Sequence, residues 1–341
     1  MVPNSILQSF NIPNSTVQPF GSGHINRTFK IGSTDGGYIL QRINHHVFKQ
    51  PENIAANIRY AAAYLKEKHP QYLFLSPVKA TNGQDMVYDE GGYPWRLFPY
   101  ISNTVTINEV QTAKEALEAA KGFARLTKNL SGCDAQKFHN IIERFHDLGW
   151  RYEQFETALK NTTPERLSKA HEAIEQSKHF AFLVNEYRQL INSGDLTLRI
   201  THNDTKINNI LFDAHSRKTV CVIDLDTLMP GYFIYDLGDM VRTIVCPVSE
   251  EETDFSKISF RKEMYDAVVA GYLAEMEEEL SDHEKAAIPF SGLMMTYIMA
   301  LRFLADYLNG DVYYTIKYEG QNMNRAKNQL RLLQILSEEI R

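Results

Sequence analysis

The chain has 341 residues, 43% of them hydrophobic, enough for a sizeable core and for two lobes. Its formal net charge of -6 leaves no basic footprint for nucleic acid. Three widely spaced cysteines, Cys133, Cys221 and Cys246, form neither a zinc pattern nor a disulfide framework, which fits a reducing compartment.

The opening residues Met1-Val2-Pro3-Asn4-Ser5 lack a basic segment followed by a long apolar run, so no signal peptide and a cytoplasmic protein are expected. Phe20-Gly21-Ser22-Gly23-His24 then reads as a glycine-bearing turn into a strand. Such a turn is either a plain hairpin or a place where backbone N–H groups approach phosphate. Residues 38–43 and 95–98 have strand composition. Between them Pro51 opens a helix to Lys68, with Ile54, Ile58 and Leu65 at helical spacing.

From about residue 102 the pattern turns helical. Asn108 is placed to cap a helix over 109–129, and further helices are expected near 138–160, 164–193, 261–280, 284–308 and 321–340. The apolar stretch 293–308 is interrupted by Arg302 and Asp306, which favours a buried helix over a membrane span. Three short apolar runs at 196–200, 210–212 and 220–225 make a β-like island. The expected architecture is α+β: a small strand-rich lobe over 1–100 and a larger helical lobe over 101–341.

The island brackets Thr201-His202-Asn203-Asp204-Thr205-Lys206-Ile207-Asn208-Asn209 and Ile223-Asp224-Leu225-Asp226. Phosphoryl transfer asks a protein for a positioned nucleophile and for metal to neutralise phosphate charge. Asp204 on its loop suits a hydroxyl-orienting carboxylate, and Lys206 can reach a transferring phosphate. Asn209 and Asp224, the latter at a strand end, suit a hard cation such as Mg2+. His202 reads as a brace for the loop.

This spacing resembles the catalytic and metal loops of the aminoglycoside phosphotransferase and choline kinase superfamily. The resemblance implies a protein-kinase-like bilobal fold with ATP as co-substrate. It implies Asp204 as the orienting or deprotonating carboxylate, Asn209 and Asp224 on magnesium, and Gly21, Ser22 and Gly23 at the phosphates. It also implies that Asp236, in Tyr235-Asp236-Leu237-Gly238-Asp239, buttresses the catalytic loop; as a bare residue it reads as a helix cap. Residues 97–101, with Phe98 and Tyr100, would border adenine.

One departure stands out. Kinases carry a strand Lys paired with a helix Glu, whereas Gln41 occupies the Lys place here and Asn57 lies near the Glu place. Gln41 can donate to phosphate but brings no charge, and alternation turns Arg42 to the opposite face.

Longer strings are similar to the N-acetylhexosamine 1-kinases: Gly21-x-Gly23-His24-Ile25-Asn26, Asp224-Leu225-Asp226-Thr227-x-Met229-Pro230-Gly231, and Arg302-Phe303-Leu304-Ala305-Asp306-Tyr307-Leu308-x-Gly310-Asp311-x-Tyr313. They imply phosphorylation of the anomeric hydroxyl of N-acetylglucosamine or N-acetylgalactosamine. His24, Asp204, Asp226, Thr227, Arg302 and Tyr313 would then touch the sugar. Plainer readings stand beside these: Arg302 paired with Asp306 one turn away, Tyr313 and Tyr314 as packing aromatics, and Asp226 orienting Thr227 or a water. Competing functions are a kinase of aminoglycoside, choline or homoserine, and a non-catalytic nucleotide-binding module. A sulfatase is disfavoured because no cysteine sits in a Cys-x-Pro-x-Arg context.

Overall fold

The computed structural model describes residues 2–340 apart from 14, 22–25 and 34–35. In chain order it forms α1 (Asn4–Ser9), β1 (Thr16–Pro19), β2 (Arg27–Ser33), β3 (Gly36–Arg42), α2 (Pro51–Lys68), β4 (Val87–Tyr88), β5 (Pro94–Pro99) and β6 (Thr104–Val105). Then follow α3 (Ala113–Asn129), α4 (Leu148–Asn161), α5 (Pro164–Lys169), α6 (His171–His179), α7 (Phe182–Asn192), β7 (Arg199–Thr201), β8 (Ile210–Asp213), β9 (Thr219–Val222) and β10 (Met229–Gly231). The chain closes with α8 (Phe233–Ile244), α9 (Lys262–Met276), α10 (Asp282–Ala286), α11 (Ile288–Leu308) and α12 (Gln321–Glu339). Two compact units result. The first gathers Met1–Val105, Asn129–Glu143 and Leu211–Pro230; the second gathers Thr106–Lys128, Arg144–Ile210 and Gly231–Arg341.

The first unit is built on an antiparallel sheet in the order β1-β2-β3-β5-β4. Strand alternation gives it two unlike faces. On one, Ile31, Leu40, Trp95 and Leu97 are buried against Ile6, Leu7 and Phe10 of the α1 region, and the Phe29 and Trp95 rings stack at 5.9 Å. The register Thr28↔Gln41↔Arg96 and Lys30↔Ile39↔Phe98 puts these residues on the opposite face. Helix α2 spans the residues its periodicity predicts and buries Ile54, Ile58 and Leu65. It also buries Asn57, whose amide donates to the carbonyls of His139 and Leu228, both at 2.9 Å, and accepts from the His139 N–H at 2.8 Å. This one side chain ties α2 to two distant loops of its unit.

The second unit is organised by α11, which packs on α4, α8 and α12. It is apolar on nearly every side, as a helix enclosed by others must be. It is long and apolar enough to cross a membrane, yet its apolar window is mostly buried inside the protein. Helix α8 approaches it closely at Gly238. A Cβ on Gly238 would sit 2.2 Å from the Ser291 carbonyl oxygen and 2.9 Å from the Met295 Cβ. Since backbone is the nearest obstacle, Gly238→Ala is expected to cost about 3 kcal/mol, at the upper end for overpacking. Urea unfolding checks this; a change within about 0.5 kcal/mol, the range of neutral surface substitutions, would contradict the close approach.

Several boundaries differ from expectation. Helix α3 starts at Ala113, because Thr112 accepts the Glu115 N–H while the Glu115 carboxylate accepts the Gln111 N–H. Asn108 therefore does not cap this helix. Residues 138–147 are irregular, and α4 begins only where Asp147 accepts the Trp150 N–H at 2.9 Å. The single helix expected over 164–193 is three, broken at the buried residues Ala170 and Phe180 without a glycine or proline to announce it.

Candidate active site

In the second unit β7 leads into the loop that carries His202, Asn203, Asp204 and Lys206. Asn203 takes a left-handed φ of 64°, a conformation asparagine tolerates. The loop is clamped by the fully buried Asp236. Its Oδ2 accepts the His202 N–H at 2.9 Å, its Oδ1 accepts the Asn203 N–H at 2.7 Å, and its carbonyl accepts the Thr205 hydroxyl at 2.7 Å. Asp236 lies within the first turn of α8 and does not cap its own helix. Burial raises its carboxyl to about 6, against the pull of His202 and the two backbone donors. His202 is also buried; its Nδ1 accepts the Asp204 N–H at 3.2 Å and its ring meets Phe123 edge-on.

Asp204 is thereby presented with its side chain 27% exposed and 3.0 Å from Lys206 Nζ. Asn209 donates to the Asp204 carbonyl at 2.8 Å and to its Oδ2 at 3.2 Å. Burial pushes the Asp204 carboxyl up, but Lys206, His202 and Asn209 together pull it further down, below its ordinary value. It is therefore an anionic acceptor at neutral pH. Asp204 in turn holds Lys206 firmly protonated. The Asn209 NH2 thus faces Asp204, so its amide oxygen is not the atom that meets this carboxylate.

A cavity of about 580 Å³ in the same unit brings Arg302 and Tyr313 together, with Trp150, Arg151, Tyr314 and Asp306 also in its wall. Asp306 makes no ion pair with Arg302. Its Oδ1 accepts the N–H groups of Val312 and Tyr313, and its Oδ2 accepts the Tyr314 N–H and the Asn322 amide, all between 2.8 and 3.0 Å. The Arg302 guanidinium instead lies 5.1 Å from the Phe145 ring centre, 5.5 Å from Tyr314 and 6.0 Å from Tyr313. Among the described residues no carboxylate pairs with it. Tyr314 is a packing aromatic, 4.9 Å from Phe303, whereas Tyr313 is 61% exposed.

Motif reading missed His146, which ties Phe145, the ring beside Arg302, to the loop that carries Asp204. Its ring lies 4.2 Å from Phe145, and its Nε2 proton is donated to the Asn203 carbonyl at 2.9 Å. Burial lowers it to about 3, so it is neutral. Arg151 was missed as well; it donates to the Phe145 carbonyl and to Gln154. Neither residue sits in a recognisable string.

In the first unit, Gln41, Phe98 and Tyr100 share the polar face of the sheet, with Lys30 Nζ 3.9 Å above the Tyr100 ring. Gly21 has φ 79°, where only glycine is unstrained; Ser22, Gly23 and His24 lie outside the described residues. Asp224 is exposed just past β9, itself left-handed at φ 58° and ψ 57°. Thr227 and Asp226 are buried. The Asp226 Oδ2 accepts the Asn26 amide at 2.7 Å, and its Oδ1 lies 2.5 Å from Nη2 of Arg96, a residue the motifs did not point to. Among the described residues no three His, Cys, Asp or Glu side chains gather as metal ligands. The candidate ligands Asn209 and Asp224 are oxygen donors of the kind Mg2+ takes together with phosphate oxygens.

Residues 16–280 match the phosphotransferase enzyme family, APH. The chain belongs to that family. The phosphotransferase is similar in structure to a microcompartment-associated aminopropanol kinase (TM-score 0.69, 17% identity, 99% of this chain and 98% of the other). It is also similar to an aminoglycoside phosphotransferase from Alicyclobacillus acidocaldarius (0.66, 11%, 100% and 96%). A third likeness is to the amicoumacin kinase hAmiN, solved with AMP-PNP, Ca2+ and Ami (0.58, 13%, 93% and 88%). The strand-rich sheet followed by a larger helical part is the protein-kinase-like fold of this family.

Proposed function

We propose that this phosphotransferase transfers the γ-phosphoryl group of ATP to the anomeric hydroxyl of an N-acetylhexosamine, N-acetylglucosamine or N-acetylgalactosamine, giving the sugar 1-phosphate. The observation that carries the acceptor class is the charge of the cavity. A protonated amine is recognised by carboxylates or an aromatic cage. Here Arg302 lacks a carboxylate partner among the described residues, Arg151 lies in the same wall, Asp306 is engaged by backbone amides, and Glu153 pairs with Arg188. Two guanidiniums beside the exposed Tyr313 ring suit the carbonyl and hydroxyl oxygens of a neutral sugar and its stacking face.

In this reading Asp204 orients and deprotonates the hydroxyl, and Lys206 meets the transferring phosphate. Asn209 and Asp224 hold Mg2+, which when bound neutralises charge on the β- and γ-phosphates. Gly21, Ser22 and Gly23 offer backbone amides to the phosphates, and Gln41, Phe98 and Tyr100 border the nucleotide. Thr227, Arg302 and Tyr313 contact the sugar, with His24 closing over it. ATP and a divalent metal are supported by the family and by the AMP-PNP and Ca2+ of the similar amicoumacin kinase. Three free cysteines accord with a cytoplasmic setting.

The test is ADP release with free N-acetylhexosamines against ethanolamine, aminopropanol and aminoglycosides. Turnover with the amines alone would overturn the acceptor. Arg302→Met is expected to raise the acceptor KM by about 10- to 100-fold, the loss of a charged hydrogen bond of about 1.5–3 kcal/mol, with the ATP KM little changed. Equal effects on both KM values would place Arg302 outside the acceptor pocket.

A further inference from the structure

We propose that Arg96 is the cation that binds the nucleotide phosphates of this enzyme, replacing the strand lysine that Gln41 displaces, with Asp226 as its counter-ion. The inference rests on the kinase reading but not on the choice of acceptor.

Gln41 and Arg96 are direct cross-strand partners on β3 and β5, so their side chains leave the sheet on the same face. The Arg96 Nε and Nη2 both donate to Gln41 Oε1, at 3.0 and 2.8 Å. Gln41 therefore offers its oxygen to a guanidinium, not its NH2 to a phosphate; the NH2 is directed at Thr28 Oγ1, 3.4 Å away. The charge missing from β3 is thus present one strand over. Phe98, two residues along β5, lies beneath the guanidinium at 5.0 Å, on the face that also carries Lys30 and Tyr100.

The usual partner is displaced in the same way. The α2 position near which a glutamate is expected carries Asn57, fully engaged with the backbone of His139 and Leu228. The carboxylate that meets Arg96 comes instead from Asp226, two residues past Asp224. Both members are nearly buried, at 2% and 4% of side-chain exposure. A buried ion pair costs desolvation that a hydrophobic pair would avoid, so stability alone is a poor reason for one here. The contact is also incompletely tied down. Asp226 Oδ1 receives no aligned hydrogen bond, only the charge 2.5 Å away, while Oδ2 is fixed by Asn26. Among the described residues Arg96 Nη1 has no hydrogen-bond acceptor, so the guanidinium keeps a vacant donor edge.

Other cations on the sheet are placed differently. Arg42 points to the opposite face and stacks 4.2 Å over the Tyr93 ring. Lys30 is on the correct face but two positions from Gln41 and over Tyr100, which makes it the comparison residue.

The experiment measures binding of Mg-AMP-PNP and of adenosine to the full chain by calorimetry with no acceptor present, so it is blind to sugar specificity. Arg96→Met is expected to weaken AMP-PNP by about tenfold or more, as for loss of a charge-assisted contact to phosphate, and to leave adenosine within about twofold. Adding Gln41→Lys to Arg96→Met should recover most of the AMP-PNP affinity. Arg96→Lys, which retains charge without the fork, should lie between. Lys30→Met should change the ratio of the two ligands less than Arg96→Met does. Equal weakening of both ligands, no rescue by Gln41→Lys, or a larger ratio change in Lys30→Met would overturn the assignment. Should Arg96→Met fail to fold, the ligand ratio in Arg96→Lys decides, and an unchanged ratio rejects the proposal. Failure of sugar phosphorylation with intact Arg96-dependent AMP-PNP binding would reject only the acceptor.

Discussion

Asp204→Ala is expected to lower kcat by about 10³-fold, the middle of the range for loss of a positioned proton acceptor, with unfolding temperature little changed. The side chain contacts Lys206 and the Asn209 amide and takes no part in the Asp236 clamp that fixes the loop. A companion measurement addresses its charge. Burial raises the Asp204 carboxyl, and Lys206, with His202 and Asn209, brings it below its ordinary value. The acid limb of kcat/KM is therefore expected below the usual carboxylate range. Removing the neighbouring charge in Lys206→Met disfavours the carboxylate, so that limb should move to higher pH. Turnover of Asp204→Ala near the wild-type rate would reject its role. An acid limb that stays in place in Lys206→Met would show that another group controls it.

The second large effect is expected at Asp236. Its two oxygens satisfy two buried N–H groups, those of His202 and Asn203, in the loop that carries Asp204. Orphaning a buried donor costs about 1–3 kcal/mol, so Asp236→Ala should lose about 2–5 kcal/mol and also disorder Asp204. Asp236→Asn keeps one acceptor but turns an NH2 against the second amide, so it is not conservative here. The pH dependence has a definite sign. The carboxyl is raised from 3.8 to about 6 in the fold. Its contribution to stability is therefore fully present below about 3.8 and lost as pH rises through about 6. The asparagine variant lacks this contribution, so its deficit relative to wild type should shrink by about 2 kcal/mol between pH 4 and pH 7. Denaturant titrations at the two pH values provide the measurement. A deficit that grows with pH would mean that Asp236 is stabilised as the anion.

Helix α2 was legible almost to the residue because Pro51 and the Ile54, Ile58, Leu65 spacing are local signals. The breaks at Ala170 and Phe180 were not, since both are buried residues without turn chemistry. Arg302 shows the same limit within a site. Its i, i+4 spacing to Asp306 favours an ion pair on an isolated helix. In the folded protein Asp306 is taken by the backbone of residues 312–314, and only the loop after α11 reveals it.

By itself the sequence determined the phosphotransferase family, the loop that presents Asp204, Lys206 and Asn209, and the order of strand-rich and helical parts. Each depends on residues close together in the chain. Tertiary structure decided where the charges go. Arg96 stands beside Gln41, 55 positions away, because β3 and β5 pair in that register, and Asp226 meets both Arg96 and Asn26 because the first unit gathers distant segments. A motif specifies which groups are available; partners are chosen by strand register and burial, since an unpaired charge in a closed interior costs too much to leave standing.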